Sequence, residues 1–165
     1  MVKKIILCFA VIAVALAVYF IFFNKTEADL VKQQFKYLSE YASKLPGEGG
    51  TTMLYKAKVV GNLFDEYCDL STKDSILSGH YSREDISGKS LMFRKMLTSA
   101  NITFHEITIE SLDDKKAKVI TTAKLSARDN NNSAIDQTRE LEVTLLKKDG
   151  KWLFSDFQIA TILKK

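Results

Sequence analysis

The 165-residue chain has little of what builds small frameworks and metal centres: two cysteines (Cys8 and Cys68), two histidines (His80 and His105) and one proline. One cysteine falls inside an apolar run, so a disulfide framework and a zinc ribbon are both excluded. Two separated histidines and one remaining cysteine fall short of the three or four close ligands a tetrahedral site needs. Neither a metal nor a cofactor is expected. Charge of one sign is lacking too. Against 24 Lys+Arg stand 20 Asp+Glu, net +4, with no basic block, which removes the electrostatic case for nucleic acid. There is no internal repeat, no low-complexity tract and no phosphate loop. Gly47-Glu48-Gly49-Gly50 precedes a helical pattern without the lysine of a P-loop.

What is present falls into two regions. Residues 5–23 (IILCFAVIAVALAVYFIFF) are uncharged and apolar. As a helix rising ~1.5 Å per residue they come just short of the ~30 Å hydrocarbon core of a bilayer. A cleaved signal peptide would have a shorter run ending in a small-x-small site. Ala15-Leu16-Ala17 is such a triplet, but VYFIFF follows it, so the segment reads as an uncleaved signal anchor. Lys3 and Lys4 before the run place the N-terminus inside. The expected plan is a cytoplasmic tip (1–4), a transmembrane anchor (5–23) and an extracytoplasmic domain (24–165). That makes a single-pass inner-membrane protein with a periplasmic domain.

Beyond the run, three helices are expected. Thr26 and Asp29 form a capping pair ahead of Leu30, Val31, Phe35, Leu38, Tyr41, Ala42 and Leu45, giving a helix over 26–45 that Pro46 and the glycines stop. Met53, Ala57, Val60 and Phe64 mark a second over 52–66. Ser82 and Asp85 open a third over 83–98, with Ile86, Phe93 and Leu97 inward. Residues 67–81 are polar and turn-rich, with room for one or two small strands. From Asn101 the period becomes two. Ile102 and Phe104 alternate, then Ile107 and Ile109 continue on the other parity, which marks a bulge at His105-Glu106. Alternation returns in Val119, Thr121, Ala123 and Leu125 and again in Leu141, Val143 and Leu145. Asp149-Gly150 is a hairpin turn, and a second bulge is expected near Ser155-Asp156 before Phe157 and Ile159. The fold class is therefore α+β. After the N-terminal transmembrane helix, three helices pack on a curved, bulged antiparallel sheet of about four long strands.

The closing KKDGKWLFSDFQIATIL (147–163), the ITFHEITIESLDDKKAKVITTAKLSA run and the helix 83–98 together resemble the nuclear-transport-factor-2-like superfamily, the cystatin-like α+β cone. The resemblance covers residues 26–165. It implies a cone that serves isomerases, dehydratases and cyclases as well as non-catalytic assembly domains, some of them membrane-anchored. Enzymes of this group place a carboxylate base, with a tyrosine or second acid, on the inner face. Here the inward positions carry no carboxylate, histidine or lysine, and the interior reads as filled by apolar side chains.

The expected function is accordingly a membrane-tethered, non-catalytic interaction module, a homodimer or part of a larger complex. Its contact face would carry Ile120, Leu146, Leu153 and Ile162 among polar neighbours. The alternative is a small-molecule binder or lyase/isomerase-like protein. Its pocket would draw on Asp69, His105, Glu106 and Asp156, residues at the bulges or in the irregular segment.

Overall fold

The computed structural model describes residues 25–72 and 78–159. Helix α1 (Glu27–Ala42) begins at Thr26. The Thr26 hydroxyl accepts the Asp29 N–H at 3.2 Å, and the Asp29 carboxylate accepts the Thr26 N–H at 3.1 Å. This reciprocal cap satisfies two donors that a helix start leaves open. Helix α2 spans Gly50–Asn62, and α3 spans Arg83–Met96 behind the same device at Ser82 and Asp85. The strands are β1 (Phe64–Ser71), β2 (Gly79–Ser82), β3 (Leu97–Leu112), β4 (Lys116–Asp129), β5 (Ala134–Lys148) and β6 (Lys151–Ile159).

All six strands form one sheet in the order β2-β1-β6-β5-β4-β3. β3 to β6 make the antiparallel meander that their short turns require. At Asp149-Gly150 both residues take positive φ, 49° and 76°, as a two-residue hairpin turn demands. The register of β3 on β4 shifts between His105 and Thr108, with Glu106 at φ 53°. The extra residue keeps Phe104, Ile107 and Ile109 on one face of the sheet, against the core. A second shift lies where β6 passes Asp156, so that Phe154 and Phe157 both face inward.

The sheet has six strands, not the expected four. The missing pair comes from the stretch assigned to the end of the second helix and the irregular segment. Helix α2 stops at Asn62 because the next residues join the sheet. The Leu63 carbonyl accepts the Phe154 N–H at 3.0 Å, and Phe64 starts β1 in parallel register with Phe154 of β6. The end of α2 also meets the start of α3 closely. A Cβ on Gly61 would lie 2.9 Å from the Arg83 carbonyl oxygen.

The membrane placement is corrected as well. No helix among the described residues is long and apolar enough to cross a membrane. The segment 5–23, which carried the transmembrane helix and the signal anchor, lies outside the described residues. Among the described residues the fold is a six-stranded sheet with three helices. The single-pass inner-membrane localisation has no support from the structure.

The core lies between α1 and the inner face of the sheet. Val31, Phe35 and Leu38 of α1 pack on Val119, Val143, Leu145, Trp152 and Phe154. Phe35 meets Phe104 and Phe154 edge-on at 5.4 and 5.1 Å, an arrangement that aromatic quadrupoles favour. Thr121, buried among these residues, donates to the His105 carbonyl at 2.8 Å, at the bulge. The loop after α1 is held by a buried ion pair. The Arg94 guanidinium donates to Glu48 Oε1 at 2.5 Å and to the carbonyls of Tyr41 and Ser43, while Lys56 reaches Glu48 Oε2 at 2.8 Å.

Candidate functional site

The cone is not packed solid. On the side of the sheet where β1 and β2 extend it beyond β6, a cavity of about 300 Å³ opens to solvent. Its walls come from four elements: Leu38 of α1, Phe64, Cys68 and Leu70 of β1, Phe157 of β6, and Ile86 of α3. Lys89 of α3 and Tyr81 of β2 also line it. Leu38, Phe64, Cys68 and Phe157 are buried, whereas Lys89 is exposed, so the cavity has an apolar floor and a mouth formed by β2 and α3. The Phe64 and Phe157 rings stack at 5.7 Å. Lys89 Nζ stands 4.8 Å from the centre of the Tyr81 ring, within cation–π range.

Local register decides which side chains reach this space. β1 and β2 pair Cys68 with Tyr81 and Asp69 with His80. Successive residues of a strand point to opposite faces. Cys68, Leu70 and Tyr81 therefore share the pocket face, while Asp69, His80 and Tyr67 lie on the other. There the Asp69 carboxylate and His80 Nδ1 are 2.7 Å apart, and the His80 ring stacks on Tyr67 at 4.8 Å. Both side chains of this pair are more than half exposed, 59% and 61%. A carboxylate–imidazole pair in this position is turned away from the cavity and is open to water.

The four residues expected to form a pocket divide in two. Asp69 and Asp156 are brought together as register partners on β1 and β6. His105 and Glu106 are not near them, because β6, β5 and β4 stand between β1 and β3. The His105 ring is exposed and bonded to the Thr103 hydroxyl at 2.9 Å. None of the four lines the cavity. Of the expected contact face, Ile120, Leu146 and Leu153 are half-buried, with Leu146 and Leu153 paired across β5 and β6. Ile162 lies outside the described residues.

The cavity holds one thiol. Burial pushes Cys68 up to about 12, and the charges of Asp156, Asp69 and Asp65 add to the rise. The thiol is neutral at physiological pH and behaves as a small apolar wall residue rather than a nucleophile. A second, wider depression of about 670 Å³ lies beside the β5–β6 turn, lined by Asp65, Glu66, Arg83, Lys148, Asp149 and Lys151 among others. Two of its charges are paired and a third is bound to the backbone. Lys148 Nζ is 2.7 Å from Asp65, and Arg83 donates to the Phe64 carbonyl at 3.2 and 3.0 Å. Burial raises the Asp65 carboxyl, but Lys148 and the Glu66 N–H outweigh it and hold the group below its usual range. Among the described residues no cluster of three histidine, cysteine or carboxylate side chains has the geometry to hold a metal.

The residues that make the cavity went unnoticed in the sequence as a set. The available signal was on α3. Ile86 belongs to its inner stripe, and Lys89, one turn on, puts a cation at the edge of that stripe.

No family model matches the chain, and no curated protein matches it. Solved structures do match. A protein from Novosphingobium aromaticivorans assigned as a scytalone dehydratase is 15% identical, with 83% of this chain and 85% of that one covered and a TM-score of 0.66. A type 2 hexachlorocyclohexane dehydrochlorinase is 13% identical, covers 82% and 87%, and scores 0.62. An NTF2-like protein with a cystatin-like fold from N. aromaticivorans is 9% identical, covers 84% and 82%, and scores 0.61. The chain has the nuclear-transport-factor-2-like, cystatin-like fold. At these identities the likeness shows the fold alone.

The expectation of a tethered, non-catalytic docking module is overturned here. It rested on a cone filled with hydrocarbon and on a membrane-spanning helix. The cone is open on its β1–β2 side, and no described helix spans a membrane.

Proposed function

We propose that the protein binds an apolar small molecule in the cone cavity, non-covalently. The observation that carries this reading is the composition of the cavity wall: Leu38, Phe64, Leu70, Ile86 and Phe157 around a neutral thiol. A volume of about 300 Å³ falls at the small end of the ~300–1,000 Å³ typical of ligand pockets. Removing water from such walls is favourable at roughly 25 cal/mol per Å² of apolar surface covered. The fold supports the same reading. Neighbours of this shape include proteins named for a dehydratase and a dehydrochlorinase acting on small molecules. A lyase would need a base facing the substrate, and the Asp69–His80 pair lies on the opposite face of the sheet. Binding without chemistry is the better account.

The test is a calorimetric titration of octan-1-ol into the wild-type protein and into Ile86→Trp, which fills the cavity from α3. The wild type should bind, and Ile86→Trp, with an unchanged circular-dichroism spectrum, at least tenfold more weakly. No uptake by the wild type, or equal uptake by both, would overturn the reading.

A further inference from the structure

We infer that the ligand is an amphiphile, an apolar body bearing one carboxylate, whose head sits at the cavity mouth against Lys89. This rests on the cavity being a binding site and adds the class of molecule it takes. The first argument is where polarity lies. The walls named above are hydrocarbon, and among the described residues the one charged side chain in the lining is Lys89, at the mouth. A molecule lying along the cavity would bury its body against Phe64 and Phe157 and bring its outer end to an ammonium group.

The second argument is how Lys89 is held. Its Nζ stands over the Tyr81 ring at 4.8 Å, which keeps the amine at the mouth instead of out along the helix. Among the described residues Lys89 forms no ion pair. The nearest acid in sequence on the same face, Asp85, is occupied. Its carboxylate accepts the Ser82 N–H at 3.0 Å and the Ser82 hydroxyl at 2.8 Å. Those bonds are the main reason its carboxyl is held below its usual range, and the charge of Lys89 is the least of the causes. The ammonium therefore has its charge to offer.

The third argument concerns the other charges nearby. Asp69 faces the far side of the sheet with His80, and Asp65 is paired to Lys148. Neither presents a carboxylate to the mouth that would attract a cationic head, and Lys89 would repel one. An anionic head meets the one complementary group among the described residues of the lining. A single ion pair at a partly solvated mouth is modest and salt-sensitive, so it selects among ligands whose affinity comes from the apolar body.

The experiment compares octanoate and octan-1-ol, which share a body and differ in the head, on the wild type and on Lys89→Gln. Octanoate affinity should fall about three- to fivefold in Lys89→Gln, the range of one partly exposed ion pair, while octan-1-ol changes by less than twofold. In the wild type, raising the salt concentration should weaken octanoate and spare octan-1-ol. Equal effects of Lys89→Gln on the two ligands, or salt-independent octanoate binding, would overturn the carboxylate assignment and leave the cavity a binding site. Failure of both ligands to bind the wild type would overturn both.

Discussion

The two sides of the cone are built from the same kinds of residue and end in opposite states. Over the meander, α1 lies directly on the sheet. Phe35 is fully buried between Phe104 and Phe154, and Val119, Val143 and Leu145 are sealed beneath. On the β1–β2 side the apolar residues are just as large, but Leu70, Ile86 and Tyr81 stay half-exposed around a cavity. The cause is coverage. The sheet continues past β6 through β1 and β2, and there α1 contributes Leu38 and α3 contributes Ile86 and Lys89 as walls around a space they do not fill. Apolar surface that a helix covers becomes core. The same kind of surface, lined by helices that do not close onto it, becomes a place for something else to bind.

Truncation separates the two sides most sharply. Phe154→Ala, at a fully buried position, should cost about 3–5 kcal/mol in urea unfolding, because it leaves a void in a packed core. Glu48→Ala comes next, at about 3 kcal/mol, because it leaves the fully buried Arg94 guanidinium without its counter-charge. Burial raises the Glu48 carboxyl, but Lys56 and Arg94 outweigh it and the group titrates below its usual range. A carboxyl depressed in the folded state lends stability that is complete above its unfolded value of about 4.3. That stability is lost as pH falls through the lower folded value. Acid unfolding curves of the wild type and Glu48→Ala should therefore draw together as pH falls from the unfolded value through the lower folded one. Leu70→Ala should have the smallest effect, about 1 kcal/mol, since its side chain faces the opening and leaves no new sealed void. If Leu70→Ala costs as much as Phe154→Ala, the two sides are packed alike and the contrast is wrong.

The meander was legible in the sequence because its information is local. The alternation of Val119, Thr121 and Ala123, the Asp149-Gly150 turn and the parity change at His105-Glu106 each lie within a few residues of what they specify. The capping boxes at Thr26 and Ser82 are local in the same way. β1 was not legible. Phe64 sits in helical spacing from Val60 and Ala57, and FDEYCDLS alternates poorly. Its parallel partner, β6, lies some ninety residues further on with no turn to announce it. The antiparallel strand β2 is only four residues long. Without β1 and β2 the inner face looks complete and apolar, and a filled interior is the natural inference. Asp69 stood out in the irregular segment and Asp156 at a bulge, but the pleat that turns Asp69 away from the cavity depends on a strand pairing that the pattern did not reveal. The cavity itself is a property of what the helices leave uncovered, which no single segment encodes.

The most direct test is a methyl-resolved NMR titration of the intact protein with octanoate. Binding in the cone cavity predicts saturable shifts at the methyl groups of Leu38, Leu70 and Ile86, with those of Val119, Val143 and Leu145 nearly unmoved. Shifts confined to the meander, or none at saturating octanoate, would contradict it.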